Sequence, residues 1–155
     1  MADEGGIAER MAGVQGASDD GGTNAPGTPC ILILEDEPVT AMLLARAVGD
    51  RGYRVAGPFH RPDQAQAALA ADRPDAALLD VSLGRAENSR AVADALAAAG
   101  VPFAFVTGYG PETASVVSAH PRALVIPKPA DADTVGMLLE ELLARREAEA
   151  RQTGG

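Results

Sequence analysis

The chain has 155 residues, is 46% hydrophobic but only 3% aromatic, and carries a formal net charge of −9. That length holds one core and no second one, the acidic balance excludes a nucleic-acid-binding face, and so few aromatics exclude a base-stacking platform. No apolar run reaches membrane-spanning length, no basic-then-apolar leader opens the chain, and the single cysteine, Cys30, cannot close a disulfide, so a soluble cytoplasmic protein without a membrane partner is expected.

Residues 1–29 are rich in Gly, Ala, Asp and Ser without sustained periodicity and read as a disordered N-terminal tail. Order begins at Cys30–Ile31–Leu32–Ile33–Leu34, a buried strand with Cys30 as a structural thiol. The run stops at Glu35–Asp36–Glu37–Pro38, and Pro38 suits the first turn of a helix carrying Val39, Met42, Leu43 and Ala47 at helical spacing, closed between Gly49 and Gly52. Arg54–Phe59 is a second strand, with Pro58 marking its outer end or an edge. Pro62 starts a helix through Ala65, Ala68 and Leu69.

The third strand, Ala76–Ala77–Leu78–Leu79–Asp80, is a short apolar run ending in a carboxylate. Asn88 or Ser89 caps a helix with Val92, Ala95 and Leu96, and Gly100 stops it. Pro102–Thr107 is the fourth strand. Pro111–Ala119 reads as a short helix weakened by the β-branched Thr113, Val116 and Val117. Ala123–Ile126 is the fifth strand, followed by Pro127–Lys128–Pro129. Asp131 or Asp133 caps the last helix, whose stripe is Val135, Leu138, Leu139 and Leu142, with Glu141–Arg145 and Glu147–Arg151 pairs outside. One domain over 30–146 is expected, with 147–155 a frayed end. Five strand–helix alternations with short links predict an α/β fold: a doubly wound, five-stranded parallel sheet of flavodoxin-like (βα)5 type.

The strand ends collect chemistry. The first delivers Glu35 and Asp36, the third Asp80, the fourth Thr107 and the fifth Lys128. In a doubly wound sheet the first and third strands flank the switch point, where such folds place their sites. Asp80 alone could equally serve as a turn or helix-cap residue, but three further acids at one strand end exceed what capping needs. Carboxylates brought together must protonate or share a cation, and oxygen-only ligands suit Mg2+. Asp80 between a divalent ion and Lys128 is placed to attack phosphorus, with the ammonium and the Thr107 hydroxyl taking up charge on the phosphoryl oxygens. His60 and His120 stand without metal-ligand spacing and read as solvated loop residues.

From Ile31 to about Leu143 the chain resembles the receiver domain of two-component response regulators, through Leu34–Glu35–Asp36–Glu37–Pro38, Leu78–Leu79–Asp80, Val106–Thr107–Gly108 and Ile126–Pro127–Lys128–Pro129. The segment Pro102–Gly110 resembles the single-domain "FAT GUY" subgroup, with Val106 in place of the usual Ala. The resemblance implies that Asp80 accepts a phosphoryl group from a histidine kinase. It implies that Asp36 ligates Mg2+ directly, Glu35 through water and Ser82 through its backbone carbonyl. It further implies that Thr107 and Lys128 bind the phosphoryl oxygens, and that the Lys128–Pro129 bond is cis.

Two departures stand out: Gly84 and Arg85 occupy the place of the usual proline after the acceptor, and Val125 replaces the aromatic switch residue, leaving Tyr109 as a candidate substitute. The expected protein is a phosphoacceptor switch that catalyses only its own phosphorylation and dephosphorylation. With no output module after Leu143, it signals as a monomer or weak dimer by contact with a downstream protein at the fourth helix, fifth strand and fifth helix. The rivals are a pseudo-receiver acting without phosphorylation and a Mg-dependent aspartyl-nucleophile phosphatase. The latter is disfavoured because Ser82 stands where such enzymes carry a second Asp.

Overall fold

The computed structural model describes residues 27–81, 83, 88–108 and 113–154. The strands are β1 (Cys30–Leu34), β2 (Arg54–Phe59), β3 (Ala76–Leu79), β4 (Phe103–Thr107) and β5 (Leu124–Pro127). The helices are α1 (Pro38–Asp50), α2 (Pro62–Ala71), α3 (Arg90–Ala98), α4 (Thr113–Ser118) and α5 (Ala132–Gly154). All strands pair in parallel in the order β2-β1-β3-β4-β5, which is the doubly wound arrangement expected. Winding reverses direction between β1 and β3, so the crevice opens above those two strands.

The inner strands are apolar on both faces because helices cover both. Leu32, Leu34, Ala77, Leu79, Phe103 and Phe105 face one layer, with Ala65 of α2, Val92, Ala93 and Leu96 of α3 and Val116 of α4. Ile31, Ile33, Ala76, Leu78, Ala104 and Val106 face the other, with Leu44, Ala47 and Val48 of α1 and Val135, Leu138, Leu139 and Leu142 of α5. Phe103 and Phe105 meet edge to face, ring centres 5.5 Å apart. Each buried Leu or Ile side chain contributes about 1.5–3 kcal/mol of transfer free energy.

Helix α1 starts where Pro38 ends β1's acidic turn. The Glu37 carboxylate caps it by accepting from the Thr40 N–H at 3.0 Å and from the Thr40 hydroxyl. Its buried positions are Ala41, Leu44, Ala47 and Val48. Of the apolar residues expected to form its stripe, only Ala47 is buried, and Val39, Met42 and Leu43 are each more than half exposed. Both sets of residues obey helical spacing, and the crossing of α1 with the sheet and α5 decides between them.

Capping at α3 comes from Asn88, whose Oδ1 accepts from the Arg90 N–H at 2.9 Å, while the Ser89 side chain makes no cap bond. At α5, Asp131 Oδ1 accepts from the Thr134 N–H at 2.7 Å, and the Glu141–Arg145 pair forms at 3.1 Å. Residues 147–154, expected to fray, continue this helix. Beyond Leu142, ion pairs hold it to the loops below the sheet: Arg146–Asp75 at 3.4 Å and Arg122–Glu149 at 3.3 Å.

Strand β2 carries an irregularity. Leu32 pairs with Ala56 but Leu34 with Phe59, so β2 spends an extra residue there. Gly57 makes this possible. Its φ is +101°, and a Cβ would stand 2.5 Å from the Phe59 nitrogen. The shift leaves Phe59 and the following His60 level with the end of β1.

Candidate functional site

The site follows from the two-residue period of strands. Ile31 and Ile33, Ala76 and Leu78, and Leu124 and Ile126 all face the α1–α5 layer. Two residues further along each strand stand Glu35, Asp80 and Lys128, carried by the same alternation to the same side of the sheet mouth. Register completes the arrangement. Leu34 pairs with Leu79, the Asp80 N–H donates to the Leu34 carbonyl at 2.9 Å, and the Lys128 N–H donates to the Thr107 carbonyl at 2.9 Å.

The Lys128 ammonium lies 2.9 Å from Asp80 Oδ2 and 2.9 and 3.1 Å from the two oxygens of Glu35. Glu35, Asp36 and Asp80 each offer a carboxylate oxygen, and these atoms lie within 4.8 Å of one another. Glu35 is fully buried and Asp80 nearly so. Burial, reinforced by the neighbouring Asp80, pushes the Glu35 carboxyl up to about 7, although Lys128 pulls the other way. For Lys128, burial works against the ammonium, but the bonds and charges of Glu35 and Asp80 outweigh it and raise its pKa. Two of the three clustered carboxylates, Glu35 and Asp80, thus share the Lys128 ammonium. Among the described residues, Glu35 Oε1 has ion-pair proximity to Lys128 but no hydrogen-bond partner. A buried, under-satisfied carboxylate oxygen in an all-oxygen cluster of excess negative charge fits a hard divalent cation such as Mg2+.

Thr107 ends β4, with its hydroxyl donating to the Gly108 carbonyl at 2.9 Å. Ser82 and Tyr109 lie outside the described residues. The Lys128–Pro129 bond is cis, as expected; the Gly57–Pro58 bond is also cis. Val125 is 43% exposed on edge strand β5. Cys30 is half-buried, and burial raises its thiol pKa.

His60 is an exposed loop residue, as read from the sequence, whereas His120 is only partly exposed. His120 packs edge-on against Phe103 and places Nε2 2.7 Å from Asp94 Oδ1, tying the loop after α4 to α3. The His60 ring Nδ1 lies 2.9 Å from the Glu35 carbonyl. Sequence spacing could not show this contact, because the irregularity in β2 creates it. The available clue was that His60 directly follows a strand adjacent to β1.

No protein-family model matches the chain, and no curated protein matches it. Solved structures do. The signal receiver domain of a modulated diguanylate cyclase from Desulfovibrio desulfuricans is 30% identical, with a TM-score of 0.71, over 79% of this chain and 98% of that one. This chain belongs to the response-regulator receiver family. SdrG from Sphingomonas melonis is 38% identical, with a TM-score of 0.65, over 75% of this receiver and 97% of that chain. The response regulator PhyR from Brucella abortus is 26% identical, with a TM-score of 0.69. The match covers 81% of this receiver but 52% of PhyR, so the receiver spans about half of that protein. Among the described residues, no helix is long and apolar enough to cross a membrane.

Proposed function

We propose that this receiver accepts a phosphoryl group on Asp80 from the phosphohistidine of a histidine kinase and signals by protein contact. The observation that carries this reading is the position of the Asp80 carboxylate, 2.9 Å from the Lys128 ammonium and within the acidic cluster. In the transfer, an Asp80 oxygen bonds to phosphorus as the bond from phosphorus to the donor imidazole nitrogen breaks. The imidazole keeps the electron pair, and the product is an acyl phosphate. Lys128 compensates the charge of the phosphoryl oxygens, and Thr107 turns its hydroxyl from Gly108 toward one of them. Glu35, Asp36 and Asp80 would hold Mg2+, with the Ser82 carbonyl completing the protein ligands. When bound, the ion neutralises negative charge on the phosphoryl group. Asp80 is modified rather than regenerated in each event, which makes the protein a switch that acts on itself.

The donor docks on α1. Val39, Met42 and Leu43 are exposed there, beside a groove of about 290 Å³ lined by Leu43, Leu44, Val106, Lys128 and Pro129 among others. Exposed apolar groups next to the reacting carboxylate suit an apolar helix that presents its phosphohistidine to Asp80. The downstream protein reads the face of α4, β5 and α5, where α4 has only six residues and Val125 is exposed.

Mass spectrometry after incubation with acetyl phosphate and Mg2+ tests the acceptor. The wild-type chain is expected to gain one phosphoryl group and Asp80→Asn none. A wild-type chain that stays unmodified, or an Asp80→Asn chain that gains the same mass, would overturn the assignment. Phosphotransfer profiling against the histidine kinases of the source cell then identifies the donor.

A further inference from the structure

Strands β1 and β2 end level, Leu34 pairing with Phe59. The last backbone bond between them is from the Glu35 N–H to the Phe59 carbonyl at 2.8 Å. At His60 the chain is already turning into α2, and the His60 N–H lies 3.3 Å from Gln64 Oε1 rather than continuing the ladder. The Glu35 carbonyl instead has the His60 ring, with Nδ1 at 2.9 Å. A carbonyl oxygen can only accept, so Nδ1 carries the hydrogen. This bond is made to the peptide group that joins Glu35 to Asp36, the link between two of the three clustered carboxylates.

We propose that His60 is a positioning residue for the cation site. By anchoring the Glu35 carbonyl, its ring fixes the plane of the Glu35–Asp36 peptide and so the direction in which each acid leaves the backbone. Glu35 must point inward to Lys128 and Asp80, while Asp36, one residue on, must present its carboxylate from the opposite side of the chain to the same cluster. A peptide free to rock would spread those oxygens and cost cation affinity, as losing an outer partner does at other metal sites. His60 itself is exposed and contributes nothing to the core, so its contribution is one of geometry. The inference rests on the reading of Glu35, Asp36 and Asp80 as cation ligands, and it adds a residue from β2's end to a site otherwise built from β1, β3, β4 and β5.

The test is Mg2+ titration of the full chain by isothermal titration calorimetry. It uses wild type, His60→Ala, His60→Phe and His60→Asn, with folding of each checked by thermal melting in chelator. Asn can place a side-chain N–H at the same reach as Nδ1, whereas Phe keeps the ring without the donor. His60→Ala and His60→Phe are expected to weaken Mg2+ binding by about tenfold, and His60→Asn to recover most of that loss. If both donorless variants bind as tightly as wild type, or if Asn is no better than Ala, the positioning role is wrong. If wild type itself takes up no Mg2+, the reading of the acidic cluster fails first and this inference with it.

Discussion

Replacing Asp80 by Asn is expected to stabilise the cation-free protein, although it removes the reacting group. Glu35 and Asp80 share the Lys128 ammonium, Asp36 lies in the same acidic cluster, and the fully buried Glu35 is pushed from 4.5 to about 7. That gap corresponds to about 3 kcal/mol of destabilisation once Glu35 is ionised. Burial is the largest cause and Asp80 the next, so removing the Asp80 charge relieves part of that destabilisation. The variant loses the Lys128–Asp80 pair, but Lys128 keeps Glu35.

A net gain of about 1 kcal/mol, or roughly 3–6 °C in Tm for a domain of this size, is expected at pH 8 in chelator. The sign with pH is definite. A carboxyl whose folded pKa is raised holds its proton in the native state after the unfolded chain has released it. Its contribution therefore declines as pH rises from about 4.5 through about 7 and is flat above. Wild type should lose stability across that window more steeply than Asp80→Asn, and the advantage of the variant should shrink at pH 5.5, where Glu35 is protonated. Urea melts at the two pH values measure this. A variant less stable than wild type at pH 8, or an advantage that persists unchanged at pH 5.5, would refute the reasoning.

Two further outcomes are expected. Met42→Glu places a charge on the exposed apolar face of α1 and should slow phosphotransfer from a histidine kinase by about tenfold or more, while labelling by acetyl phosphate proceeds at the wild-type rate. Phe105→Ala removes a fully buried ring packed edge to face on Phe103 and should cost about 3–5 kcal/mol in urea unfolding.

Much of the site is legible in the sequence alone. The parallel sheet follows from five apolar runs alternating with helical spacing, because strands buried on both faces admit no polar residue until they end. An acid or lysine directly after such a run must therefore stand at the sheet mouth, and Glu35, Asp80 and Lys128 also share strand parity. Other features depended on distance along the chain being converted into distance in space. Helical spacing in α1 fits either Val39, Met42 and Leu43 or Ala41, Leu44 and Val48 as the buried set, and packing against α5 and the sheet chose the second. The length of α5 was likewise hidden, because Arg146 and Glu149 find their partners, Asp75 and Arg122, only in the folded protein.

By itself the sequence determined which groups reach the mouth of the sheet, since a period of two and the end of an apolar run are local properties of the chain. The tertiary structure decided how those groups meet. It placed the Lys128 ammonium between two carboxylates, left one Glu35 oxygen without a hydrogen bond among the described residues, and moved His60 onto the Glu35 carbonyl through the shifted register of β2. Such relations join residues tens of positions apart, and only strand order and register bring them together.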